Sequence, residues 1–276
     1  MTQTDIKSMQ LYPRPERILA DLAALGYPDE TPLDMDVLTR LDQLHYHGTD
    51  ALDEAIKACG IAVGDAVLEV GSGWGGCARY IAHRAGAHVT AVELQADYNR
   101  IARHLTDRTG MQSGVRHVNA DFLALDLPAG GFDHVVSWLA LFHIPKRDTY
   151  LRKIQDALRA DGSFFAEDLY LITPPPDEEQ DDFQRHLYPN SLVDLEQYHR
   201  TLTAAGFEKV ESQDMTASWT AFTKTRLHAF RDNKASYERV HGAENYAVIE
   251  MFYDKMAGYF ERGIVGGLRI RAQKHR

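Results

Sequence analysis

The chain has 276 residues, 30 Lys and Arg against 40 Asp and Glu, and a formal net charge of −10. That balance argues against a nucleic-acid partner, because phosphate contacts dominate such affinity and need a basic face, which no Lys or Arg run supplies here. Two cysteines, Cys59 and Cys77, make neither a disulfide framework nor a metal-ligand cluster, and no stretch approaches the ~20 apolar residues of a membrane span.

In chain order, residues 1–9 hold no apolar signal core, so a cytoplasmic protein is expected. Residues 15–26 carry apolar side chains at helical intervals and stop at Gly26, and residues 35–44 predict a second helix. Asp42-Gln43-Leu44-His45-Tyr46-His47-Gly48-Thr49 then precedes a helix expected over 50–59. Two histidines, a tyrosine and a glycine in that place read either as an exposed polar connector or as a lid over a ligand.

Residues 66–70 predict a short apolar strand that ends in Gly71-Ser72-Gly73-Trp74-Gly75-Gly76 and continues as a helix over 77–84. The chain must reverse sharply after the strand, and a ligand approaches backbone N–H groups closely only where no Cβ stands in the way. The next strand, 88–92, ends in Glu93, whose carboxylate is placed to accept from two ribose hydroxyls. A third strand, 115–118, leads to Asp121, placed for the exocyclic amine of an adenine. A nicotinamide dinucleotide is the rival ligand. Its diphosphate needs an uncrowded helix N-terminus, whereas here Glu69 stands two residues before the first glycine and Trp74 sits inside the turn. A carboxylate at that point suits a cationic ligand tail.

A fourth strand over 132–137 runs into Trp138-Leu139-Ala140-Leu141-Phe142-His143 at the carboxyl edge, where open α/β sheets bind ligands. The ordinary pKa of a histidine lies near operating pH, so His143 is expected to suit proton transfer from an ammonium; a core histidine satisfied by backbone is the alternative. A helix over 146–160, a turn at Asp161-Gly162 and a fifth strand follow. Residues 173–182, with three prolines and five acids in six residues, interrupt the pattern as an insertion. Beyond it lie a helix over 192–202, a sixth strand within 209–216, helices over 220–230 and 245–260, and a closing strand over 264–273. We expect one domain, with 1–48 as N-terminal helices and lid, 49–172 as nucleotide-binding core, 173–245 as cap insertion and sixth strand, and 246–276 as closing helix and strand.

Glu69-x-Gly71-x-Gly73-x-Gly75, the acidic end of strand two and the Asp after strand three resemble, in that order, the class I S-adenosylmethionine-dependent methyltransferases. The resemblance implies a Rossmann-like α/β fold, a seven-stranded mostly parallel sheet with an antiparallel closing strand and helices on both faces. It also implies S-adenosylmethionine as cofactor, bound by Glu69, Gly71, Ser72, Gly73, Gly75, Glu93, Leu94, Gln95, Asp121, Phe122 and Ser137. Tyr46, followed by a glycine before the next helix, is similar to the lid tyrosine of small-molecule methyltransferases acting on phosphoethanolamine and glycine-derived amines. In the phosphoethanolamine enzymes that tyrosine pairs with a histidine after strand four. This implies Tyr46 and His143 as catalytic residues, with His47, Trp138, Tyr188 and Arg271 around the acceptor.

Two departures shape the expected acceptor. Leu139 stands where the phosphoethanolamine enzymes carry an acid, and Tyr188 and Asn190 fall where their phosphate is held by arginine and tyrosine. A small carboxylate-bearing or zwitterionic metabolite fits better, methylated on an amine nitrogen or a thioether sulfur. Gly-Ser-Gly-Trp-Gly is also similar to the cyclopropane fatty acid synthases, so a lipid or carbon methyltransferase is one alternative. A nicotinamide- or adenosylmethionine-binding protein without methyl transfer is another. No nucleic-acid, membrane or metal partner is expected, and the assembly is a monomer or homodimer.

Overall fold

The protein is described from a computed structural model over residues 14–275, so the expectation for residues 1–9 lies outside the described residues. Seven strands form one sheet: β1 (Ala66–Val70), β2 (His88–Glu93), β3 (Val115–Asn119), β4 (Phe132–Trp138), β5 (Leu158–Leu171), β6 (Phe207–Asp214) and β7 (Val265–Lys274). Their order is β3-β2-β1-β4-β5-β7-β6. The first five pair in parallel, and β7 runs antiparallel between β5 and β6.

The strand sequences explain this burial. In Ala66-Val67-Leu68-Glu69-Val70 every residue after the first is buried, as expected of a central strand covered on both faces. Alternate side chains divide between the faces. Val67, Val89, Val136 and Phe165 pack under α3 (Thr49–Cys59) and α4 (Gly76–Ala85). Leu68, Val135 and Phe164 pack against α6 (Arg147–Ala157) and α8 (Leu195–Ala204). α1 (Arg17–Ala24) and α5 (Ala96–Arg108) meet over the glycine turn, where Trp74 donates to Pro15 O at 3.1 Å.

A third layer gathers at the carboxyl ends of β4 and β5. It is built from α7 (Gln180–Leu187), α9 (Thr216–Asp232) and α11 (Ala243–Glu261), with Phe183, Trp219, Phe252 and Phe260 at its centre. Gly266 and Gly267 on β7 admit this layer, since a Cβ on Gly267 would lie 2.3 Å from Trp219.

Several elements differ from expectation. The second helix is only α2 (Met35–Leu38), because Asp42 turns inward to meet Arg79 at 2.9 Å instead of continuing the helix. α6 stops at Ala157, as Leu158 pairs with Phe132 and begins β5. An extra helix, α10 (Lys234–His241), fills the space between α9 and α11 and holds α1 through His241 Nε2 to Asp21 at 2.6 Å. Among the described residues no helix is long and apolar enough to cross a membrane.

Candidate active site

A cavity of about 450 Å³ opens at the carboxyl ends of β1, β2 and β4. Its floor is the glycine turn. Gly71 and Gly73 take φ values of 79° and 52°, a region that costs L side chains strain. A Cβ on Gly71 would also lie 2.3 Å from Ala140 Cβ, and one on Gly73 2.9 Å from Leu44 Cδ1. The two glycines therefore let Ala140 and Leu44 close onto the turn at the cavity floor.

Of the residues expected to bind cofactor, Glu69, Gly71, Ser72, Gly73, Glu93, Leu94, Gln95, Asp121 and Phe122 line this cavity. Glu93 is fixed at the end of β2. Its Oε2 accepts from Gly73 N and its Oε1 from Gln95 N, each at 2.8 Å, which opposes the upward push of burial on its pKa. Asp121 Oδ1 accepts from Leu123 N at 2.9 Å. Glu69 is almost fully buried, and burial pushes its pKa up to about 8, so it is protonated in the free protein at neutral pH. Its Oε2 and the Ser72 hydroxyl are buried without a hydrogen-bond partner among the described residues. A carboxyl with one orphaned oxygen, a glycine cradle and a pinned acceptor at β2 fit a ligand with a cationic tail and ribose hydroxyls, as S-adenosylmethionine has.

Two expected cofactor residues lie elsewhere. Gly75 is the left-handed N-cap of α4, where a Cβ would lie 2.5 Å from His117 Cε1. Ser137 points between strands, its hydroxyl donating to Val70 O at 2.8 Å. Both support the turn without lining the cavity.

Beyond Ala140 the cavity is walled by Leu139, Phe142, Leu169, Leu187, Phe252 and Met256, with Tyr46, Trp138 and His143 among them. His143 Nδ1 lies 3.1 Å from Tyr188 O. A carbonyl only accepts, so Nδ1 carries the hydrogen and Nε2 keeps the lone pair. Burial lowers the His143 pKa to about 4. The Tyr46 ring packs edge-on to Trp219 at 4.9 Å, and the Arg226 guanidinium lies 5.0 Å above it and bonds its hydroxyl. The phenol and the imidazole are thus engaged separately.

Three residues expected around the acceptor do not line this cavity. His47 takes a left-handed φ of 61° and turns from the cavity to Phe222 at 4.9 Å and Ser218 Oγ at 2.9 Å. Tyr188 contributes its carbonyl to His143, its side chain lying outside the cavity wall. Arg271, on β7, pairs across to Glu211 of β6 at 3.2 Å and does not reach the cavity. No Lys or Arg among the described residues lines the acceptor end; Arg14 stands beside Pro15 in the lining.

Sequence reasoning missed His45, which lines the cavity in place of His47. Its Nδ1 lies 3.0 Å from Tyr46 O and its Nε2 2.9 Å from Gln43 Oε1, with burial lowering its pKa to about 4. Gln43 is in turn tied to Asp42 at 2.7 Å, and Asp42 to the fully buried Arg79. A Cβ on Gly76 would lie 2.6 Å from Asp42 O, so this segment approaches the turn only because Gly76 is bare. Leu139, at φ 52°, is held in its left-handed conformation by N–H donation to Glu167 O at 2.7 Å. No group of three or more His, Cys, Asp or Glu among the described residues is arranged to hold a metal.

The family described as mycolic acid cyclopropane synthetase matches residues 40–268. The sarcosine/dimethylglycine N-methyltransferase of Halorhodospira halochloris is 30% identical over 150 residues, 54% of each chain. The phosphoethanolamine N-methyltransferase 1 of Zea mays is 26% identical over 201 residues, 72% of this chain and 39% of that protein. The chain therefore spans about half the length of the first relative and less of the second. Among solved structures, phosphoethanolamine N-methyltransferase 2 of Haemonchus contortus superposes with a TM-score of 0.80 at 18% identity, over 94% of this chain and 60% of that one. A cyclopropane synthase of Mycobacterium tuberculosis gives 0.73 at 17% identity, over 96% and 100%. These two likenesses establish a shared fold. With most of its length matched, the chain belongs to the mycolic acid cyclopropane synthetase family, within the class I S-adenosylmethionine-dependent methyltransferases.

Proposed function

We propose that the protein transfers a methyl group from S-adenosylmethionine to the nitrogen or sulfur of a small metabolite that bears a carboxylate or is zwitterionic. The carrying observation is one cavity that joins the glycine cradle, Glu69 and Glu93 to a wall bearing His143 and Tyr46. The sarcosine/dimethylglycine and phosphoethanolamine names of its relatives support a small soluble acceptor.

In this reading Glu69 ionises to receive the ammonium of the cofactor, Glu93 accepts from its ribose and Asp121 from its adenine. The cofactor supplies a methyl already activated on a sulfonium. The protein's task is to hold the acceptor in line and keep water out. The aromatic and aliphatic wall does the second. For the first, His143 Nε2 accepts from an acceptor N–H, leaving the nitrogen lone pair for the methyl. An acceptor ammonium enters a space lined by neutral groups, which favours its uncharged, nucleophilic form. We further propose a cytoplasmic enzyme in which the nucleotide-binding core and the cap work as one unit.

One observation favours a second reading. The apolar wall from Leu139 to Met256 also suits a lipid or carbon acceptor of the cyclopropane-synthase kind. A methyl-transfer screen with labelled adenosylmethionine tests both, offering small amines, amino-acid derivatives, thioether acids, phosphoethanolamine and unsaturated acyl chains. Turnover confined to acyl chains overturns the small-metabolite reading, and cofactor binding with no turnover on any panel overturns methyl transfer itself.

A further inference from the structure

His143 enters the cavity on a short turn, Leu141–His143, that has no regular helix or strand to hold it. Its three carbonyls and the Phe142 N–H are nonetheless taken. Ser191 N donates to Phe142 O at 2.9 Å and Ser191 Oγ to Leu141 O at 3.0 Å. Asn190 Nδ2 donates to His143 O at 3.0 Å. From the other side, Phe142 N donates to Asp168 Oδ1 at 3.4 Å. The turn is therefore clamped between the end of β5 and the connector that links α7 to α8.

Asp168 is the charged member of that clamp and is 1% exposed. Its second oxygen accepts from Tyr198 OH on α8 at 3.0 Å. The Arg147 guanidinium lies 3.6 Å above the Tyr198 ring, and its Nη1 donates to Tyr150 OH at 2.8 Å and toward Ser191 O at 3.4 Å. Arg147, Tyr150 and Tyr198 are thus the charged and titratable groups that α6 and α8 turn toward Asp168, and Arg147 draws its proton affinity down against burial. A buried carboxylate is expensive without such partners. Retaining one here gives the turn a single geometry, since Asp168 accepts from the turn and from α8 at once.

We propose that Asp168, held by the Tyr198 hydroxyl, is a positioning residue for methyl transfer, fixing the Leu141–His143 turn against the Tyr188–Ser191 connector so that His143 keeps its Nδ1–H on Tyr188 O and its Nε2 toward the acceptor. The proposal rests on the reading above that His143 faces the acceptor. It differs from a role in cofactor binding, because Asp168 does not line the cavity. A displacement of ~1 Å at the reacting groups costs on the order of a hundredfold in rate, so the effect belongs in kcat.

The test uses the full chain as wild type, Asp168→Asn and Tyr198→Phe. Adenosylhomocysteine affinity is read by calorimetry, kcat and KM on whichever acceptor the screen yields, and the His143 ring by nitrogen NMR. The signal is assigned against His143→Gln, because the chain has 13 histidines. The wild type should show one neutral tautomer with hydrogen on Nδ1. Both variants should keep cofactor affinity, lose kcat by about a hundredfold for Asp168→Asn and less for Tyr198→Phe, and show mixed His143 tautomers. An unchanged tautomer and an unchanged kcat in both variants overturn the proposal, as does loss of adenosylhomocysteine binding in step with kcat. If Asp168→Asn does not fold, Tyr198→Phe, which removes one hydroxyl, decides alone. Should no acceptor be turned over, the proposed function fails on the screen while the tautomer still reports on Asp168.

Discussion

Burial of Glu69 inside the cavity favours its protonated carboxyl, and that preference makes a measurable prediction. Burial raises its pKa from the ordinary carboxylate range to about 8. The free protein therefore carries the proton at neutral pH, whereas the ammonium of a bound adenosylmethionine or adenosylhomocysteine favours the carboxylate. Binding below pH 8 should release a proton, visible as a dependence of the calorimetric heat on buffer ionisation enthalpy, and Glu69→Gln should abolish it. The same proton release in the Gln variant would place the titration elsewhere. The stability sign follows from the raised value: the contribution is present below the ordinary carboxylate pKa and lost as pH rises through about 8. Ligand-free protein should melt lower across that window, with a flatter slope in Glu69→Gln. At Gly71, alanine meets both a left-handed φ of 79° and Ala140 Cβ at 2.3 Å. Gly71→Ala should lose cofactor affinity, with strain of about 1–3 kcal/mol lowering the melting temperature as well.

Between residue and whole chain, the segment from Asp42 to His47 shows what a buried ion pair does. Arg79, 0% exposed on α4, donates to Asp42, Trp74 O, Ala102 O and Thr106. One side chain so ties this segment, the glycine turn and α5 to α4. Removing Asp42 strands that guanidinium, and breaking a buried pair costs about 3–5 kcal/mol. Asp42→Ala should lower the urea midpoint by an equivalent amount and weaken cofactor binding through Gln43 and His45. Replacing both Asp42 and Arg79 by apolar residues of similar size should recover much of the stability without recovering the binding. If Asp42→Ala leaves both quantities unchanged, the segment is held by its apolar contacts alone.

Across the whole molecule, Tyr46 joins segments far apart in the chain. It comes from the N-terminal segment and packs on Trp219, Phe222 and Phe260 of the C-terminal helices, so the cavity is closed from both ends of the chain. Truncating a buried aromatic costs about 3–5 kcal/mol. Tyr46→Ala should therefore destabilise the fold and open the acceptor end to water, whereas Tyr46→Phe should keep the packing and lose the Arg226 bond. Chemical unfolding and kcat measured on both variants separate wall from hydroxyl. Equal losses of kcat with only the Ala variant destabilised would assign the chemistry to the phenol.

The sequence by itself determines the sheet and the cofactor end of the cavity, because those signals are local. An apolar run, a glycine turn and an acidic residue closing the next strand are read within a few residues of one another, and Glu69, Gly71, Gly73, Glu93 and Asp121 line one cavity as that order implies. The acceptor end is decided by tertiary structure. His45 and His47 flank Tyr46 alike in sequence, and only the left-handed turn at His47 and the Asp42–Arg79 pair, 37 residues apart, set which ring faces inward. Arg271 is basic and well placed in chain order, but the register of β7 points it at Glu211. The apolar wall from Phe252 and Met256 is likewise contributed by α11, whose position depends on glycines in β7 admitting Trp219. Local chemistry writes the nucleotide-binding half, while the space offered to the acceptor exists only once distant segments pack.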